Sequence, residues 1–473
     1  ATMMPAAQLF ASPLRMSADW KPRPYLAEKW ELSPDNRSVK LFLRKDAVFH
    51  DGKPITAEDI KFSIETVRDH HPFKSMYAPV NAVTIESPQV AVVRLSEPHP
   101  ALLLAMSTSL TPIIPKHIFG DGTDPKIHPR NANPVGSGPF KLVEFKPGEH
   151  LVMERFDRFF LKGAPKLDRI IIKEFKDPAS ALLAFEKGEI DAYPGLLDPR
   201  EIERARKIPG AQIIANAAPA MGPLVWLAFN TKNPKLADKR VRQAIAYAID
   251  KNYLIDTLLG KVHKRSTGPI ANASPFYSAE VEKYELNLAK ATALLDAAGL
   301  KPGANGMRLT LDVDAIPGVP DMKTAQEYLK PSLAKVGIEV NVRLSPDFPT
   351  WARRVAGQQF EMTLDSVWNW GDPVIGVHRT WLTSNIRPGV IWSNTQSYSN
   401  PKVDQLLDAA GKEMDLPKRK AAYKEAQKLI VDDCPIAFLY EWTFHEGYLA
   451  RVQQPPHGIW GGTDALLDTS MKG

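Results

Sequence analysis

Four places in this chain carry residue types that could do chemistry: His50-Asp51, the glycine-rich GSGPF at 136–140, the adjacent His70 and His71, and DSVWNWGDP at 365–373. A histidine beside an aspartate suggests acid/base work. Yet Asp51-Gly52 is the residue pair of a tight turn, and no nucleophile accompanies it. GSGPF could cradle a phosphate, but no Lys-Ser or Lys-Thr follows, and Pro139 has no N–H to donate, so a structural bend is the better reading. His70 and His71 point apart in any regular structure and have no Cys or His at metal spacing beside them. No metal site and no cofactor is expected. Cys434, the sole cysteine, opens an apolar strand and reads as inert core; it can form no intramolecular disulfide.

Trp368 and Trp370 raise a different question, because two large aromatics follow a strand that has just ended. Each reads equally as core or as a ligand platform, and at positions i and i+2 of an extended segment they would share one side. Asp372 before Pro373 reads first as turn chemistry and second as a ligand contact. Trp392, Trp381 and Tyr440 are weaker candidates for the same role. An enzyme alternative is a glycosidase whose tryptophans stack sugars, which needs two carboxylates about 5 to 9 Å apart.

These residues must be held by a large framework. The chain has 473 residues, 44% of them hydrophobic, which exceeds what one core supports, since single cores stop growing at roughly 250 to 300 residues. Its +6 charge is the difference between 60 basic and 54 acidic residues, so no field of the kind that grips nucleic acid is expected. No run approaches the ~20 apolar residues of a membrane span, and ATMMPAAQLF lacks the basic start and apolar run of a signal peptide. A soluble chain without its export signal is expected.

The first third alternates short strands and turns. SVKLFLR sets Val39, Leu41 and Leu43 on one face, and FHDGKPITAEDIKFSIETVRDH is a turn feeding a helix with Thr56 as N-cap. VTIESPQVAVVRL reads as two strands, and 136–156 as a hairpin. The character changes at LVWLAFN (224–230), an unbroken apolar strand followed by a helix capped by Asp238. LTLDVD, a helix around 321–336 containing Pro331, and IEVNVRL have the order of a parallel crossover. Another helical piece carries Trp351, and QFEMTLDSV alternates toward WNWGDP. If that segment is a parallel strand, WNWGDP lies beyond its carboxyl end, where ligands of open α/β sheets bind. PKRKAAYKEAQKLIVDD is an amphipathic helix and CPIAFLYEW a buried strand.

Several of these stretches resemble the family 5 extracytoplasmic solute-binding proteins of ABC importers, the oligopeptide, dipeptide and nickel class. The resemblance is carried by LAEKWELSPDNRSVKLFLRKDAVFHDGKPITAEDIKFS, GSGPFKLVEF, LAFNTKNPKLADKRVRQAIAYAIDK, and KVGIEV followed by WGDP. It implies an α/β fold of two lobes with two hinge crossings, closing over a ligand. Lobe I would be 1–222 plus 444–473, with an inserted subdomain near 38–160, and lobe II 223–443. It also implies a periplasmic, non-enzymatic monomer that hands a peptide or other small polar solute to a membrane permease. A docking protein with no small ligand is the further alternative.

In dipeptide-binding members of the resembled family, an Asp in this loop accepts the peptide's ammonium and an Arg after the earlier strand pairs with its carboxylate. Registering through KVGIEV and Asp-Pro puts Asn369 and Ile316 at those positions. The resemblance therefore implies a ligand other than a free dipeptide. The options are a longer or blocked peptide, an opine-like conjugate, or a neutral oligosaccharide stacking on Trp368 or Trp370 with hydroxyls meeting Asn369 and Asp372.

Overall fold

The structure, a computed structural model, describes residues 3–71 and 74–472. Ala1 and Thr2 of the opening stretch, Pro72 and Phe73, and Gly473 lie outside it. The chain divides into two compact units, Ala1–Pro219 with Lys412–Met414 and Phe444–Gly473, and Ala220–Gly411 with Asp415–Thr443.

The first unit is built from antiparallel sheets. Ala27–Leu32, Ser38–Leu43, Val90–Leu95 and Val80–Ser87 lie side by side in that order. Val39, Leu41 and Leu43 are buried on one face of the second strand, as period-two alternation requires. The helix Ala57–His70 follows Thr56, whose backbone N–H and hydroxyl both reach Asp59 Oδ2, at 2.9 and 3.0 Å. Asp59 also accepts from Lys116 N at 3.0 Å, so the carboxylate near the helix start ties in a distant segment. Phe140–Lys146, His150–Arg155 and Arg169–Lys173 form a second sheet.

His50 joins two stretches that the sequence reading treated separately. Its Nδ1 accepts from Gly136 N and its Nε2 donates to Gly138 O, both at 3.1 Å. Burial pushes its pKa down to about 4, which keeps the ring neutral and able to accept. Glycine is required at 136 because a Cβ there would stand 1.8 Å from Leu9 O. GSGPF is thus a packing bend.

The tail returns to this unit for a structural reason. Its strand His445–Tyr448 is the middle of a three-stranded sheet, between Ala192–Leu196 and Gln212–Ala215, and all four of its residues are buried.

The second unit holds a six-stranded mixed sheet in the order Lys264–Arg265, Ile436–Glu441, Pro223–Phe229, Met362–Trp368, Leu309–Ala315, Ile338–Val342. Leu309–Ala315 is parallel to both of its neighbours, and the helix Pro320–Ala334, with Pro331 inside it, makes the crossover to Ile338–Val342. Met362–Trp368 is antiparallel to Pro223–Phe229. Every residue of Pro223–Phe229 and Ile436–Glu441 is buried, which fits strands covered on both faces. Asp238 caps Lys239–Ala248 by accepting from Arg240 N at 2.8 Å. Cys434 ends the helix Leu416–Asp433 in the left-handed region, at φ 48°. It is fully buried, and burial pushes its thiol up to about 12.

Candidate functional site

Strand directions in the second unit decide what gathers at one sheet edge. The carboxyl ends of Leu309–Ala315, Met362–Trp368 and Ile436–Glu441 and the start of Pro223–Phe229 all arrive there. Ile316, the loop 369–372, Glu441 and Trp442 therefore share an edge although they are far apart in sequence.

The loop 369–372 is a tight backbone structure. Asn369 N donates to Met221 O at 2.9 Å and Gly371 N to Ala220 O at 2.6 Å. Trp370 and Gly371 both have positive φ, 52° and 80°. The segment therefore leaves the extended conformation at Trp370, contrary to expectation, yet the rings of Trp368 and Trp370 still lie side by side, 5.3 Å apart at 33°. Trp368 is half-buried and Trp370 is buried.

Asn369 and Asp372 are both engaged within the protein, Asp372 in the turn chemistry read first for it. Asn369 Oδ1 accepts from Ala271 N at 2.7 Å and Nδ2 donates to Pro269 O at 3.3 Å, so its amide holds a neighbouring segment to the loop. Asp372 accepts from Val374 N at 2.9 Å as the cap of Pro373–Gly376. Both of its oxygens receive Arg419, at 2.6 and 2.7 Å. A two-point ion pair with an N-cap bond occupies three of the roughly four acceptor sites of this buried carboxylate. Tyr440 is wholly buried and stacks on His263 at 5.3 Å and 9°, because its strand is covered on both faces. Trp381 is core too.

The side chains of Trp368, Trp392 and Ile316 are only half-buried. Trp392, at φ 56°, lies against Phe348, ring centroids 5.7 Å apart, and its Nε1 donates to Asp365 Oδ1 at 3.3 Å. Ile316 packs where the main core meets a small cluster of Trp351, Val355 and Phe360.

Sequence reasoning passed over three ionisable groups here, Asp365 and Glu441 buried and Arg379 half-buried. Asp365 also accepts from Ser366 N at 2.6 Å; burial pushes it up to about 7, against the pull of these hydrogen bonds and of the Arg379 charge. Burial lowers Arg379 to about 10, with Asp365 opposing. Glu441 accepts from Asn272 N at 2.6 Å and is raised by burial to about 7. The available signal was a charged residue inside an otherwise apolar strand, DSV and YEW. Nearby, Asp321 Oδ2 accepts from His263 Nε2 at 2.9 Å and from Trp442 Nε1 at 3.1 Å. Among the described residues no group of three or more His, Cys, Asp or Glu side chains could hold a metal ion, and no helix is long and apolar enough to cross a membrane.

Residues 21–388 match the family model of bacterial extracellular solute-binding proteins, family 5, and the chain belongs to that family. It is similar to the oligopeptide-binding protein AppA of Bacillus subtilis, at 27% identity over 84% of this chain and 74% of that protein. Among solved structures it is similar to a putative peptide-binding protein AppA of Clostridium difficile (25% identity, TM-score 0.87, 99% and 96% covered). It is also similar to NikZ of Campylobacter jejuni, solved with Ni(L-His) (26% identity, TM-score 0.83, 97% and 92% covered). Its relatives are substrate-binding proteins of ABC transporters and not enzymes, so the glycosidase alternative falls.

Proposed function

We propose that this chain captures a peptide-class solute that lacks paired terminal charges, at the sheet edge carrying Trp368, Trp392 and Ile316, for delivery to an importer permease outside the cytoplasm. The observation that carries the reading is the state of Asn369. The position registered with the ammonium-binding Asp of dipeptide-binding relatives holds a neutral amide spent on Ala271 and Pro269. Ile316 stands where those relatives have an Arg, so a free carboxylate would be desolvated there without a partner, a cost of several kcal/mol in order of magnitude. Asp372 offers no substitute anchor, being paired with Arg419. The half-buried indoles supply apolar contact to a neutral chain. The names of two relatives, an oligopeptide-binding and a putative peptide-binding protein, support the peptide class.

The test is a calorimetric and thermal-shift panel of free dipeptides, longer peptides, N- and C-blocked peptides, opines and oligosaccharides. A true ligand at 100 times its Kd stabilises by about 2.7 kcal/mol. Blocked or longer peptides should bind and lose affinity in Trp368→Ala. Micromolar binding of ordinary free dipeptides, or binding of opines or sugars alone, overturns the proposal.

A further inference from the structure

The first unit contains a cavity of about 180 Å³, lined by residues of that unit alone. The strand Leu14–Met16 forms one wall and the tail the other, with Arg15, His457, Gly458, Asp464 and Asp468 among its lining. Two of these side chains differ from ordinary solvated charges.

Arg15 is half-buried, and its Nε is buried without a hydrogen-bond acceptor. Its guanidinium carbon lies 5.6 Å from the centre of the Tyr25 ring, a cation–π contact that orients the group without neutralising it. Asp464 is 3% exposed. Its Oδ1 accepts from Thr108 Oγ1 at 2.8 Å and from Ala465 N at 2.9 Å, whereas no hydrogen bond among the described residues uses Oδ2. That second oxygen faces Gly458 so closely that a Cβ there would stand 2.9 Å away. Burial pushes the Tyr25 hydroxyl up, and the Arg15 cation and the Asp464 anion both act on it, so the two charges lie within electrostatic reach of one ring.

A cation and a carboxylate that share a cavity, each with bonding capacity unspent, suit a ligand carrying both signs. An anion alone would meet Asp464 and Asp468, and an amine alone would meet Arg15. The volume is below the roughly 300 to 1,000 Å³ of drug-sized sites, so only a small molecule fits. We propose that this cavity is a second binding site, for a small α-amino acid whose carboxylate pairs with Arg15 and whose ammonium meets Asp464 Oδ2. It is independent of the solute captured at the edge of the second unit.

The experiment titrates the full chain with glycine, L-alanine, acetate and methylammonium at millimolar concentration, by calorimetry and thermal shift. Glycine or alanine should bind at least about tenfold tighter than either single-charge probe. Binding should fall by about tenfold or more in Arg15→Gln and in Asp464→Asn, whose amide oxygen still accepts from Thr108. Gly458→Ala, which fills the space beside Oδ2, provides a variant that leaves both charges in place and should also lose glycine. Trp368→Ala, at the other site, should retain it. No binding of glycine or alanine, equal binding of acetate, or undiminished glycine binding in Gly458→Ala overturns the proposal. So does loss of glycine binding in Trp368→Ala, which would assign the amino acid to the other site.

Discussion

Arg419 and Asp372 form a two-point ion pair in which both side chains are more than nine-tenths buried, with N···O distances of 2.6 and 2.7 Å. Arg419 is also fixed by donating Nε to Ala410 O at 2.9 Å and by lying 4.6 Å from the Phe276 ring centre. The pair therefore anchors the turn after Asn369 to the helix Leu416–Asp433.

Breaking it from one side strands a buried charge. Arg419→Met should destabilise the chain by about 3 to 5 kcal/mol in denaturant titration. Adding Asp372→Asn should recover part of that loss, because the amide can still accept from Val374 N. A single variant as stable as the parent would show that Asp372 is not held as described.

Asn369→Ala removes the partner of Ala271 N and of Pro269 O at once, and should cost about 1 to 3 kcal/mol. Asn369→Asp should cost at least as much, because an oxygen would replace the donor facing Pro269 O. Full stability with loss of ligand capture would mean that Asn369 reads the ligand.

Asp365 predicts a pH dependence of known sign. Its folded pKa, about 7 through burial, lies above the unfolded value, so the native state holds the proton longer. Its contribution is then most favourable at low pH and declines as pH rises from about 4 to about 7. Asp365→Asn keeps the acceptor for Ser366 N and Trp392 Nε1 but has no proton to lose. Its stability relative to the parent should therefore increase across that window, by an amount of the order of a few kcal/mol, and level off above it. A difference that does not change with pH would rule out a buried carboxyl at 365.

His50 acts in the opposite direction. Its pKa is lowered to about 4 by burial, so the unfolded chain takes up a proton that the native ring refuses. The parent should lose stability as pH falls from about 6.5 toward 4. His50→Ala should abolish that component and cost about 1 to 3 kcal/mol near neutrality, because Gly136 N and Gly138 O lose their partner.

Features set by short-range patterns were legible in the sequence. Period-two alternation gave Val39, Leu41 and Leu43 their buried face, Asp238 capped its helix, and the apolar run at 224–230 marked the core of the second unit. The motifs quoted for family 5 were also in the primary structure. What Trp370, Asn369, Asp372 and Tyr440 do was decided by tertiary structure, because their partners Met221, Ala271, Arg419 and His263 are distant in sequence. A local pattern records which residues favour a turn or a strand. It cannot record which groups will meet after folding, and those meetings engage the Asn369 amide and the Asp372 carboxylate in hydrogen bonds and bury the rings of Trp370 and Tyr440. For the same reason Asp365 and Glu441 were passed over in sequence, and only burial moves them toward neutrality.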